Sequence, residues 1–453
     1  MNAFHETIIA LATPPGIGAI GVIRLSGDQA IKVCNDVFHG KDLTNQDTHT
    51  VHFGTIRDGE TILDEVLVSL FKTPTSFTKE NVVEISTHGS QFIINSIIQL
   101  FIRKGVRSAK PGEFTQRAFL NGQFDLAQAE AVADLIASDS EASHELALKQ
   151  MRGGFSEKIK ALRERLVHFA SMVELELDFG EEDVEFADRS DLVRLVKETL
   201  TVITALIDSF TLGNVMKDGI PTVIAGKPNA GKSTLLNALL NEEKAIVTDI
   251  AGTTRDVIED EINIEGVKFR FIDTAGLRET EDVIEAIGVA KSREKMKEAS
   301  LILYLFDLHN TNIEEVEEEI KELQTLDVPY LAIGNKLDES NNADRFSHIE
   351  NSLFISASTG QNIEELKDTL VEKVGLNNFK TGNVVVTNTR HYESLVRTKE
   401  SLNKVIEGID SGITNDFVAM DIRQSLHYLG EITGEITTDD LLETIFSKFC
   451  IGK

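Results

Sequence analysis

The octapeptide Gly226-Lys227-Pro228-Asn229-Ala230-Gly231-Lys232-Ser233 decides how this chain is read. It fits G-x-x-x-x-G-K-[ST], the pattern of a loop that wraps phosphates. Its setting agrees: the apolar run 221–225 reads as a strand before it, and the stretch opening at Thr234 reads as a helix after it. The glycines let backbone N–H groups curl about an anion, and the helix turns its positive end towards it. Lys232 adds a point charge and Ser233 a hydroxyl able to ligate Mg²⁺.

Strand–helix alternation continues outward from the loop, with apolar runs at 269–272, 301–306, 328–333 and 353–355 between helix-length polar stretches. That rhythm predicts a parallel sheet wrapped by helices. Asp273-Thr274-Ala275-Gly276 closes the first of these runs, where a carboxylate can reach Mg²⁺ through water and the Gly276 N–H can sense a γ-phosphate. Asn335-Lys336-Leu337-Asp338 closes the third. Asp338 there can accept from both the ring N–H and the exocyclic amine of guanine, a donor pair that adenine lacks, so GTP is the expected nucleotide. Ser356-Ala357-Ser358 follows the last strand and can offer backbone N–H groups to the base. Between the phosphate loop and Asp273, the segment Gly252-Thr253-Thr254-Arg255-Asp256 is the candidate first switch, with Thr254 completing the Mg²⁺ shell.

Leu277 stands where many GTPases carry a glutamine that orients the attacking water, so hydrolysis needs another arrangement. Glu279, Glu281, Asp282 and Glu285 are candidate carboxylates, and Arg255 and Arg278 are either catalytic arginines or members of switch ion pairs. An extra cation near the phosphates is the other substitute, and the side-chain oxygen of Asn229 can ligate one.

The rest of the chain has other textures. Residues 1–118 carry short β-rich runs at 7–12, 20–25, 49–56, 65–71 and 81–87, with one helix over 91–103, which predicts an α+β domain. Residues 119–214 read as long amphipathic helices, 215–376 as the nucleotide domain, and 377–453 as helices again. The final segment is short for a core of its own, so it is expected to pack on the earlier helices with the α/β unit inserted between. The acidic string from Glu174 to Glu185 reads as a solvated helix end rather than a metal site.

Composition sets limits. A chain of 453 residues, 41% hydrophobic and 26% charged, has the make-up of a folded multidomain protein rather than a disordered one. Its 45 basic and 74 acidic residues give a net charge of −29, which excludes non-specific coating of nucleic acid. Only Cys34 and Cys450 occur, so neither a disulfide scaffold nor a multi-cysteine zinc site is expected, and a reducing cytoplasm is the natural setting. Pro14 and Pro15 interrupt the apolar N-terminal stretch, and no Lys or Arg precedes Arg24, the reverse of a signal peptide. No run of 18 consecutive apolar residues occurs, so no membrane span is expected.

Taken together, the phosphate loop, Gly252–Asp256, the 273–279 segment, Asn335–Asp338, Ala12-Thr13-Pro14-Pro15-Gly16, the segment 111–121 and the terminal Phe449-Cys450-Ile451-Gly452-Lys453 resemble the tRNA modification GTPase MnmE (TrmE) family. That family lies in the TrmE-Era-EngA-YihA-Septin class of P-loop GTPases. The resemblance implies an N-terminal folate-binding and dimerising domain, a helical domain made of two chain segments, and an inserted GTPase domain. It implies an FAD-containing partner, MnmG (GidA), with which an aminomethyl or carboxymethylaminomethyl group is added at C5 of the wobble uridine of certain tRNAs. The one-carbon unit would come from a 5-formyl- or methylene-tetrahydrofolate. Carried over by motif position, Ser233 and Thr254 would hold Mg²⁺, and Asn229, Thr248, Ile250 and Thr253 would surround K⁺, which promotes dimerisation of the GTPase domains. Glu285 would orient the water, and Asp249, Ala251 and Gly252 would join the nucleotide's surroundings. Arg24, Glu84, Gln123 and Lys453 would bind folate. Many members carry Lys where this chain has Gln123, so one cation is removed.

Several residues keep plainer readings. Gly16-Ile17-Gly18-Ala19-Ile20-Gly21 fits G-x-G-x-x-G, but a strand rather than a helix follows it. Cys450 is either a small apolar filler or a catalytic thiol; Gly452 and Lys453 argue against prenylation. Arg24 alone reads as a surface residue, and Glu84 needs either an internal ion-pair partner or a ligand with paired N–H donors. His88 and His144 default to structural roles. A regulatory switch or ribosome-assembly scaffold is the competing class of function.

Overall fold

A computed structural model describes residues 6–178, 189–243, 260–272, 295–339, 343–374 and 384–452. Two compact units emerge, one of residues 1–136, 149–201 and 393–453, the other of residues 137–148 and 202–392.

In the first unit, period-2 alternation builds a seven-stranded sheet: β1 (Ile8–Leu11), β2 (Ile20–Ser26), β3 (Phe38–His39), β4 (Thr50–Asp58), β5 (Thr61–Phe71), β6 (Val82–His88) and β7 (Arg107–Ser108). Their order is β3-β4-β5-β6-β2-β1-β7, antiparallel except that β7 runs parallel to β1. One face is apolar, with Ile23, Leu25, Val66, Val68, Leu70, Val83 and Ile85. Helix Gln91–Arg103 covers it with Ile94, Ile97, Leu100 and Phe101, spaced three, three and one apart along its buried stripe. Each such side chain contributes about 1.5–3 kcal/mol by leaving water.

The chain returns to this unit near its end. Helix Asp439–Phe446 is capped by Thr438, whose hydroxyl accepts from the Leu441 N–H at 3.2 Å. Leu442, Ile445 and Phe446 pack on Leu126 and Ala129 of helix Leu126–Ala137. Helix Asn415–Thr433 likewise lies by helix Gly154–Asp178, with Arg423 pairing Glu174 at 3.2 Å. The expected packing of the tail on earlier helices is therefore met.

The second unit holds β8 (Ile220–Ala225), β9 (Asp260–Ile264), β10 (Val267–Phe271), β11 (Leu301–Asp307), β12 (Tyr330–Asn335) and β13 (Ser352–Phe354). The order is β13-β12-β11-β8-β10-β9; all neighbours are parallel except the β9–β10 pair. All seven residues of central β11 are buried, as a strand covered on both faces must be. The antiparallel edge strand β9 departs from the all-parallel expectation. Its turn is set by Glu265 and Gly266, at φ +51° and +79°. This hairpin holds the start of helix Glu141–Met151: Lys268 pairs Asp139 at 2.8 Å, and the Ala142 N–H donates to the Gly266 carbonyl at 3.1 Å.

By length and composition one described stretch, Ser190–Asp218, could cross a membrane, with a mean hydropathy of 1.4 over its most apolar window. Its buried residues Leu192, Leu195, Val196, Thr199, Ile203 and Leu206 lie at i, i+3, i+4, i+7, i+11 and i+14, the stripe of an amphipathic helix.

Candidate functional site

The phosphate loop, the Asn-Lys-Leu-Asp segment and Ser356–Ala357 all leave the C-terminal ends of parallel strands β8, β12 and β13, where ligands of open α/β sheets bind. Gly226 has φ +143°, and a Cβ there would lie 2.1 Å from the Leu305 carbonyl oxygen. Gly231 has φ +99°, and a Cβ would meet the Asn335 amide nitrogen at 2.2 Å. Only glycine permits the strand below to approach this closely. Asn229 is also left-handed, at φ +64°, which asparagine tolerates better than most residues. A Gly226→Ala chain should lose about 1–3 kcal/mol of stability through strain. It should also bind GTP at least about tenfold more weakly. Urea denaturation and nucleotide titration check the two effects.

Helix Lys232–Glu243 starts at the loop's end. Lys232 Nζ donates to the carbonyls of Gly226 at 2.6 Å and Lys227 at 3.0 Å, so the ammonium is held within the loop. Burial lowers its pKa from the usual lysine value. Ser233 and Thr234 occupy the first helical turn, beside the positive helix end.

Asn335 is the joint of the site. Its side-chain Nδ2 donates to the Ala230 carbonyl at 2.9 Å, and its Oδ1 accepts from the Ala357 N–H at 3.0 Å. One buried amide thus fixes the phosphate loop against the base-side loop. Lys336, at φ +66°, reaches back to Asp307 at 2.7 Å. Burial would raise the Asp307 pKa, but hydrogen bonds from Lys336, Asn310 and the His309 N–H outweigh it and hold the carboxyl below its ordinary range. Sequence reasoning missed this Lys336–Asp307 pair, whose signal was an acid ending the neighbouring strand.

Asp338 is exposed, and the Ser356 hydroxyl, with smaller help from Ser358, keeps it ionised below the usual carboxylate range. The Ser358 hydroxyl stands 3.4 Å from its Oδ2. A carboxylate so held can accept two parallel N–H donors. Thr248, Asp249, Ile250, Ala251, Gly252, Thr253, Thr254, Asp273, Thr274, Ala275, Gly276, Glu285 and Lys453 lie outside the described residues.

A second polar corner lies in the first unit. Arg24 and Glu84 are register partners on β2 and β6, and their side chains pair at 2.8–2.9 Å. Arg24 is half-buried rather than a surface residue, and its guanidinium lies 5.7 Å from the ring centroids of both Phe77 and Phe114. It also donates to the Gly452 carbonyl at 3.3 Å. Gly452 itself abuts β1, since a Cβ there would be 2.1 Å from the Leu11 oxygen. Cys450 is exposed, which departs from the filler reading, and its carbonyl accepts from the Gly112 N–H at 3.3 Å. Gln123 is exposed on the loop after helix Glu113–Leu120. His88 is also exposed, its ring held by Asp64 at 2.7 Å.

A mainly parallel sheet, its central strand covered on both faces, whose strand ends carry a phosphate loop and a joined guanine-recognition pair defines a P-loop GTPase. Residues 126–450 match the family model described as the MnmE helical domain, and residues 7–123 the one described as the GTP-binding protein TrmE N-terminus. A tRNA modification GTPase MnmE from Cytophaga hutchinsonii is 62% identical over 450 residues, covering 99% of this chain and 98% of the relative. Relatives of the same name from Flavobacterium johnsoniae and Christiangramia forsetii are 53% and 52% identical, each covering 99% of both chains. The chain belongs to the tRNA modification GTPase MnmE family. It is a GTP-binding, GTP-hydrolysing enzyme involved in tRNA modification.

Proposed function

We propose that this chain couples GTP hydrolysis to base chemistry on tRNA as a cytoplasmic homodimer. With the FAD-containing partner MnmG (GidA), it adds an aminomethyl or carboxymethylaminomethyl group to C5 of the wobble uridine of certain tRNAs. A 5-formyl- or methylene-tetrahydrofolate supplies the carbon. The observation that carries the nucleotide half is the Asn335 joint, which presents the phosphate loop and an ionised Asp338 as one site. Residues 1–118 form the folate and dimer domain, 119–214 with 377–453 the helical domain, and 215–376 the GTPase domain.

In this reading the glycine-shaped loop and Lys232 hold the β and γ phosphates, and Asp338 selects guanine. Ser233 and Thr254 would hold Mg²⁺, while Asn229, Thr248, Ile250 and Thr253 would hold K⁺. The Ser233 position at a helix start and the left-handed, exposed Asn229 in the loop fit those tasks. Bound there, the two cations supply positive charge against the phosphate oxygens. Glu285 orients the attacking water, since Leu277 has no polar atom to do so. Arg24, Glu84, Gln123 and Lys453 take the folate, with Cys450 beside them as a candidate thiol. The internal Arg24–Glu84 pair is the plain alternative to a ligand at that corner, and the aromatic rings beneath Arg24 support the ligand reading.

Replacing K⁺ by Na⁺ should slow GTP turnover at least about tenfold; equal steady-state rates in the two salts would remove the K⁺ role. Reconstitution with MnmG, tRNA, GTP and a folate donor, read as the modified nucleoside, tests the whole proposal. GTP turnover with no modified uridine would favour a regulatory switch or scaffold instead.

A further inference from the structure

Lys79 is a cation with little to do inside the fold. Its Nζ donates to the Gly122 carbonyl at 2.6 Å, and no carboxylate among the described residues pairs with it. The residue is half-buried while the bond itself faces solvent, and in a chain with 74 acidic residues no described acid is set against it. The position is also fixed rather than incidental. Lys79 adopts φ +58°, a conformation that non-glycine residues rarely take. Its carbonyl accepts from the Thr73 hydroxyl at 2.6 Å, and the preceding Thr78 carbonyl accepts from Asn121 Nδ2 at 2.7 Å.

The surroundings give that cation a direction. Gly122, which Lys79 touches, is two residues before Phe124, and the Phe124 and Phe77 ring centroids are 5.9 Å apart. Phe77 in turn lies under the Arg24 guanidinium. Two aromatic rings therefore lead from the Arg24–Glu84 pair, which offers both donors and acceptors to a polar ring, towards the loop whose Gly122 carbonyl holds the Lys79 ammonium.

We propose that Lys79 receives the anionic end of the ligand whose ring is recognised at Arg24 and Glu84. The inference rests on the folate reading, in which that end is the glutamate carboxylate, and it assigns to Lys79 the cation that Gln123 does not supply.

Calorimetric titration of the full-length protein with 5-formyltetrahydrofolate and with a tail-free tetrahydropterin tests it. Lys79→Ala should weaken the folate about tenfold or more, the worth of a charge-assisted hydrogen bond, and leave the tail-free pterin unchanged. Lys79→Arg, or Gln123→Lys added to Lys79→Ala, should restore folate binding. Unchanged folate affinity in Lys79→Ala overturns the proposal. Equal weakening of both ligands also overturns it, because Lys79 would then only brace the loop. A wild-type protein that binds neither ligand would bring down the folate reading beneath it, a result separable from the other two.

Discussion

Asp338→Asn should weaken GTP binding at least about a hundredfold, because a site built to accept two N–H donors then presents a donor of its own to one of them. The same change should raise affinity for xanthosine triphosphate, whose ring carries a carbonyl where guanine has its amine. Titration of fluorescent nucleotides against both proteins reads the exchange. Asp338 is already held as an anion by Ser356 and Ser358, so no protonation step blurs the exchange through the neutral range. If Asp338→Asn bound GTP as the parent does, the guanine assignment would be lost. The Asn335 joint would then be an internal brace of the sheet ends and nothing more.

Glu113→Gln should remove about 3 kcal/mol from the first unit, as breaking one partner of a buried ionic cluster does. Arg117 is fully buried and donates to Glu113 at 3.0 Å, to Glu80 at 3.1 Å and to the Glu6 carbonyl at 2.9 Å. Arg107 adds a 2.5 Å bond to the same Glu113 oxygen. Burial would raise the Glu113 pKa, but Arg107, the Lys110 N–H and Arg117 together hold it below the ordinary carboxylate value. A carboxyl depressed on folding contributes stability that is complete above the unfolded pKa and disappears as pH falls through the folded one. Urea midpoints should therefore fall below about pH 4 in the parent, and fall less steeply in Glu113→Gln. Parallel acid limbs in the two proteins would assign the acid sensitivity to other carboxylates.

Long, strongly periodic elements were legible in the sequence. Helix Gln91–Arg103 falls where the pattern put it, and the phosphate loop sits between the expected strand and helix. The misses share a cause. Strands β3 and β7 have two residues each, and helix Ala30–Asn35 has six, too few for a period to show. Strand β9 reads Asp-Glu-Ile-Asn-Ile, and its two buried isoleucines are a weak signal beside its polar residues. Within the site, the residue types of Asn335 and Asp338 could be read, but not that Asn335 binds two loops at once, since those bonds join positions 105 and 22 residues apart. Arg117 went unread for the opposite reason. Its partner Glu113 lies one helical turn away, an arrangement that usually marks an exposed pair and here is buried.

The seat of Gly452 against Leu11 bears on how the protein is made. Residues 11 and 452 share one corner, so a ribosome must release residue 452 before that corner can close. The seven strands all lie within residues 8–108 and can pair long before then, but the Arg24 corner beside Leu11 stays open while the later segments emerge. Cellular yield should therefore be sensitive to substitution of Gly452, where a Cβ would meet the Leu11 oxygen.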